Sequence, residues 1–140
     1  MDDFVWSEEY ATGIARFDNE HKVLLHMIKK ISSDADHPEW LQKQLIPTLL
    51  LDLFESARMH FTSEEQFMTQ HAYPETLHAE HARKHDALHR ELDDFIANYR
   101  NYSGKFNDEL LMYLRHWLIW HIIVEDRKLG EYFKDHGDIT

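Results

Sequence analysis

Two short spacings in the middle of the chain have the form of a metal site. His60 and Glu64 lie four residues apart, and so do His81 and His85. On a helix, side chains at i and i+4 share a face one turn apart, so each pair aims two donor atoms at one point. Tyr73-Pro74 falls between the pairs. Proline lacks an N–H and restrains the residue before it. The chain therefore reverses there, and two antiparallel helices present two donors each to a shared centre. With 12 histidines in 140 residues, about one His-x-x-x-His pair arises by accident, so the pairs need support from the rest of the chain.

The elements that must carry these residues are helices. Gly (4) and Pro (3) are scarce, which favours long helices over turn-rich β architecture. Residues 1–17 have no sustained period; Trp6, Tyr10, Ile14 and Phe17 predict an extended N-terminal arm that ends near Gly13. Asp18 or Asn19 is the expected N-cap of a first helix reaching about Ser33, with His21, Leu24, Leu25, Ile28 and Ile31 on one face. A second helix is expected over roughly 39–70, with a stripe of Leu45, Leu49, Leu53, Ala57, His60, Glu64 and Met68. Pro47 is expected to kink it or to mark its true start. The third runs from about 75 to 100 with His81, His85, Leu88, Leu92, Phe95 and Tyr99. After the turn NYSGKFND, Asn107 or Asp108 caps a fourth helix carrying Leu110, Leu114, Trp117, Leu118, His121, Leu129 and Phe133. Amphipathic helices with short connections predict one all-α domain over 1–140, an up-down-up-down four-helix bundle (18–135) preceded by the arm.

Composition removes several function classes. The net charge of −11 argues against nucleic acid or anionic lipid as partners, since both call for basic patches. No apolar run approaches the length of a transmembrane helix, and the acidic N-terminus lacks the features of a signal peptide; a cytoplasmic protein is expected. The absence of cysteine rules out disulfides and thiolate metal sites.

His21, His60, His81, His85 and His121 each fall on the apolar stripe of their helix, and all four helices contribute. Glu64 lies on the same stripe as His60. A carboxylate inside a bundle core is costly unless it is paired or metal-bound, and five imidazoles there need a common partner. The remaining histidines, His26, His37, His71, His78, His89, His116 and His136, fall on polar faces, loops or termini. Glu75-x-x-His78 has the form of half a carboxylate di-iron motif, but no second copy exists. His85-Asp86 lacks the additional partners of an HD hydrolase. Asp126 follows His121 by five residues, which on a regular helix turns it away. It either reaches the centre through a local widening or a sideways bridge, or it is a surface acid of the run Glu125-Asp126-Arg127-Lys128; spacing leaves both open.

Taken in order, Glu20-His21-Lys22, His60-Phe61-x-x-Glu64-Glu65, Tyr73-Pro74, His81-x-x-x-His85 and His121-x-x-x-x-Asp126 resemble the hemerythrin family, in particular its single-domain bacterial members. Trp6, Gly13-Ile14 and Asp18 match the family's arm, and Trp117 stands ahead of the fourth-helix histidine as it does there. The resemblance implies two irons joined by an oxo or hydroxo bridge. His81, His85 and His121 would hold one, and His21 and His60 the other, which keeps a position open for O2. Glu64 and Asp126 would bridge both. It also places Leu118 beside the O2 site, with Trp117, Phe61 and Leu24 as further wall residues. One departure stands out: the stretch between Tyr73-Pro74 and the His-x-x-x-His pair is about two residues longer than the family pattern. His78/His81 is therefore a rival to His81/His85, which the four-residue step favours.

Five neutral imidazoles and two carboxylates bring less negative charge than a four-carboxylate site, and this disfavours high-valent iron and O–O cleavage. The expectation is a monomeric O2 carrier or store, not an enzyme, delivering O2 to an oxygen-consuming partner enzyme. The competing functions are an O2 sensor module, which needs an output domain, and a di-iron oxidase or peroxide-reducing enzyme, which needs substrate access and a proton source. A structural zinc bundle would need only four ligands.

Overall fold

Four helical rods account for most of the chain in a computed structural model, which describes residues 5–34, 36–101 and 108–135. After a 3-10 turn at Glu8–Tyr10 come α1 (Ala15–Asp34), α2 (Glu39–Gln70) and α3 (Glu75–Asn101). The last rod is α4 (Asp108–Trp120), a π-helical segment (His121–Asp126) and α5 (Arg127–Asp135) in direct succession. They form an up-down-up-down four-helix bundle, and the described residues contain no strand.

The core has two apolar parts. Leu24, Leu25, Ile28 and Ile31 of α1 pack with Ile46, Leu50, Leu53 and Phe61 of α2, with Leu92, Phe95 and Ile96 of α3, and with Leu111, Leu114, Trp117 and Leu118 of α4. Toward the other end, Ile14, Phe17, Phe67, Met68, Tyr73, Leu129 and Phe133 form a second cluster. His21 falls between Phe17 and Leu24 on α1, and His121 between Leu118 and Leu129 on the last rod, so a polar layer lies between the two apolar groups.

Several expectations need correction. The arm ends near Gly13 as expected, but α1 begins at Ala15 and not at 18, and Ile14 and Phe17 are core residues. Asp18 is not the N-cap. Its Oδ1 accepts from the Thr12 N–H and the Thr12 hydroxyl, both at 2.8 Å, while Thr12 Oγ1 accepts from the Ile14 N–H at 3.1 Å. Gly13, at φ +89°, makes the turn between them, a conformation open to glycine at little cost.

Pro47 neither starts nor interrupts α2, which is helical on both sides of it. Nor does the early α2 stripe run through Leu45 and Leu49, which are half-buried; Ile46 and Leu50 are the enclosed residues. Successive steps of four drift around a helix of 3.6 residues per turn, so the inward face is kept by mixing steps of three and four. His89 does not lie on a polar face. It is half-buried and stacked on Phe54, with ring centroids 4.0 Å apart. Tyr73-Pro74 ends α2 as expected: Ala72 takes φ +54° and the Tyr73 N–H donates to Met68 O at 2.9 Å, a Schellman-type stop. Asp108 is the first residue of α4, and Asn107 lies outside the described residues.

The arm is seated on the last helix at Gly130. A Cβ there would meet the Thr12 carbonyl oxygen at 1.9 Å. Glycine inside a helix ordinarily costs about 1 kcal/mol relative to alanine, so Gly130→Ala would stabilise an unobstructed helix. Here the obstruction is backbone, and overpacking of this kind costs about 1–3 kcal/mol. Gly130→Ala should therefore lower the melting temperature, and a rise on thermal denaturation would refute the close approach.

Candidate metal centre

His21 of α1, His60 and Glu64 of α2, His81 and His85 of α3, and His121 and Asp126 of the π segment converge between the two apolar clusters. None is more than 4 % exposed. The donor atoms fall into two groups, each within 4.8 Å: one of Glu64, His81, His85, His121 and Asp126, the other of His21, His60, Glu64 and Asp126. Both carboxylates belong to both groups. Asp126 faces His21 and His60 through Oδ2 (2.6 and 3.3 Å), and His81 and His121 through Oδ1 (3.2 and 2.9 Å). Glu64 Oε1 lies 3.3 Å from His60 Nε2, 3.7 Å from His81 Nε2 and 3.0 Å from His85 Nε2.

The π segment explains how Asp126 arrives. Its wider turn brings a residue five positions after His121 back onto the histidine's face. Of the possibilities that spacing left open, the structure has the widened helix. His78 is elsewhere: it borders a surface groove with Thr62, Glu65 and Gln66.

Hydrogen bonding within the protein does not account for this cluster. Buried and without a hydrogen-bond partner are both oxygens of Glu64, Asp126 Oδ1, and Nε2 of His81, His85 and His121. They approach one another without the alignment a hydrogen bond needs. His21 Nε2 and His60 Nε2 lie 2.9 Å apart, two nitrogens turned to one point. Buried polar atoms ordinarily have partners, and an imidazole and carboxylate set suits divalent iron. The residues present fit a pair of metal ions.

The charged groups of the cluster shift one another. Burial pulls His81 down, yet Asp126 and Glu64 push it up to about 10. His60 is held well above its ordinary range, burial being overcome by Glu64, Asp126 and Glu20. His85 is raised against burial by Glu64 and Glu65. Burial leaves His121 below its usual value. Glu64 and Asp126 resist burial and stay well below the carboxylate range, Glu64 through His60 and His81, Asp126 through His121, His21 and His60.

Two outer carboxylates complete the arrangement. Glu20 Oε1 lies 2.7 Å from His60 Nδ1 and its other oxygen accepts from the Ser63 hydroxyl at 3.0 Å. Glu65 Oε2 lies 2.9 Å from His85 Nδ1. Each orients a ring so that Nε2 points inward. Sequence reasoning gave them no role, although each adjoins an inward residue in the chain, which was the available signal. Phe61 stacks on His85 (4.3 Å, 15°), and Trp117 Nε1–H donates to Leu88 O at 3.0 Å.

The hemerythrin HHE cation-binding domain model matches residues 12–133. The chain belongs to the hemerythrin family. It is 28% identical to the bacteriohemerythrin of Clostridium acetobutylicum over 127 residues, 89% of this chain and 97% of that one. It is 30% identical to the bacteriohemerythrin of Pseudomonas aeruginosa over 132 residues (90% and 78%), and 28% identical to the myohemerythrin of Theromyzon tessulatum over 125 residues (89% of each). A crystal structure of a wild-type hemerythrin superposes with a TM-score of 0.75 at 26% identity, covering 91% of this chain and 95% of that one. As a hemerythrin the chain is a non-haem di-iron oxygen-binding protein. No helix among the described residues is long and apolar enough to cross a membrane.

Proposed function

We propose that this hemerythrin binds O2 reversibly as a monomer in the cytoplasm, a carrier or store that hands O2 to an oxygen-consuming partner enzyme and performs no catalysis itself. The observation that carries the reading is the unequal division of five buried histidines around two shared carboxylates. His81, His85 and His121 would hold one iron, His21 and His60 the other, with Glu64 and Asp126 bridging. The group with only two histidines keeps room for a small ligand. When bound, the irons supply the electrons that O2 takes up on binding and returns on release.

The chain's own part is to hold the metals and exclude water. Leu24, Phe61, Trp117 and Leu118 are all buried and Phe61 stacks on His85, which supports reading the four as the apolar wall of the proposed O2 pocket. Such a wall welcomes an apolar diatomic and offers it no proton. A groove of about 440 Å³ between α1 and α2, bordered by Val23, Leu24, Met59 and His60, reaches this region from the surface. Absorption spectra of the iron-loaded, reduced protein with and without O2 test the reading. A new visible band that disappears under vacuum is expected. An unchanged spectrum, or metal analysis returning a single zinc, would refute it.

Leu118 precedes His121 by three residues, one turn back on the same face. Leu118→Ala is expected to keep its iron, to lose about 2–5 kcal/mol of packing, and to oxidise several-fold faster in air. Autoxidation at the parental rate in a folded variant would mean that Leu118 does not guard the pocket.

A further inference from the structure

The sequence His-Ile-Ile-Val-Glu-Asp puts two adjacent acids after His121, and helical register decides which one faces the centre. On an α-helix of 3.6 residues per turn, Glu125 would lie about 40° from His121 and Asp126 about 140° away. The π turn reverses that choice, turning Asp126 into the cluster, with 0 % of its side chain exposed, and Glu125, with 15 % exposed, away from it toward Lys84 on α3. Nothing in the run favours a π turn by itself. It has no glycine or proline, and π segments are rare. Something outside the run must select it.

Glu125 is gripped from α3. Lys84 Nζ donates to both of its carboxylate oxygens at 2.9 Å, and Lys84 is itself steadied by Glu80 at 3.3 Å, one turn back. Lys128 stands 3.8 Å away on the following turn. Lys84 lies between the inward residues His81 and His85, and Glu125 is next to Asp126 in the chain. The pair therefore joins the two segments one residue away from the cluster on each side. Glu80, Glu125 and Lys128 also edge a small cavity of about 60 Å³ that reaches His81.

We propose that the Lys84–Glu125 ion pair is a register latch: by holding Glu125 outside, it keeps residues 121–126 in the π turn and so makes Asp126 the acid that serves the metal centre. Lys84 is thus a positioning residue. The inference rests on the reading of Asp126 as a ligand, and its test separates the two.

Iron content and the ferric absorption spectrum are compared across folded variants, with helix content checked by circular dichroism. Asp126→Ala is expected to lose iron. Adding Lys84→Met should restore part of it, because the freed Glu125 swings inward as the segment relaxes to α. Adding Glu125→Gln to that double variant should abolish the recovery. Lys84→Arg, which keeps the pair, should hold iron and show the parental spectrum. A salt bridge that merely stabilised the fold would make the double variant worse, not better. Full iron in Asp126→Ala would overturn the ligand assignment and the latch with it. Loss of iron without recovery on removal of Lys84 would overturn the latch alone, as would a Lys84→Arg variant that loses iron. Should Lys84→Met not fold, Lys84→Gln is read in the same way.

Discussion

Stripped of its iron, the protein should melt well below the loaded form, and the difference should widen as the pH rises from about 6 to 9. Without metal, the buried oxygens of Glu64 and the Nε2 atoms of His81, His85 and His121 lack hydrogen-bond partners. Each such group costs about 1–3 kcal/mol, against about 5–15 kcal/mol for a whole domain. What remains is pairing of protonated histidines with the two carboxylates, and it depends on pH in a fixed direction. His81 is raised from 6.5 to about 10. Its contribution is complete below 6.5 and fades as pH climbs through the raised value. Glu64 is depressed from 4.5, so its contribution holds above 4.5 and is lost as pH falls toward the lower value. The stripped protein is accordingly most stable between these limits. Iron competes with the same protons, so its hold strengthens with rising pH while the stripped form weakens. Equal melting temperatures, or a gap that narrows toward pH 9, would contradict this account.

The second large effect separates two neighbouring histidines of α3. His85→Ala should lose one iron or both, because it removes a buried donor 3.0 Å from Glu64 and leaves Glu65 without its ring partner. His78→Ala should keep the parental iron content, since His78 faces a surface groove. Metal analysis of the two purified variants decides between the registers. Iron retained in His85→Ala and lost in His78→Ala would reverse the assignment.

Much of the centre could be read from period alone. A histidine on an apolar stripe has few reasons to be there, and His21, His60, His81, His85 and His121 are each within 4 % of complete burial. Asp126 was not legible in the same way, because its direction depends on a π turn that no residue in the run announces. The start of α1 was misjudged for a related reason. Asp18 looks like a cap by type, but it spends its carboxylate on Thr12, six residues back, a partner that appears only once the arm has folded over. Gly130 carries its meaning through contact with Thr12, which is remote in sequence. Tertiary partners of this kind, Lys84 and Glu125 included, leave no periodic trace.

Glu20 and Glu65 stand one behind each half of the cluster, on His60 and His85. A carboxylate behind an imidazole makes the ring a richer donor and eases the loss of an electron from the metal it binds. On the assignment proposed above, this help is divided evenly, one outer carboxylate to each iron. The outer carboxylates would therefore add no bias of their own to the one that three histidines on one side and two on the other already create, and that division alone would decide which metal takes the ligand.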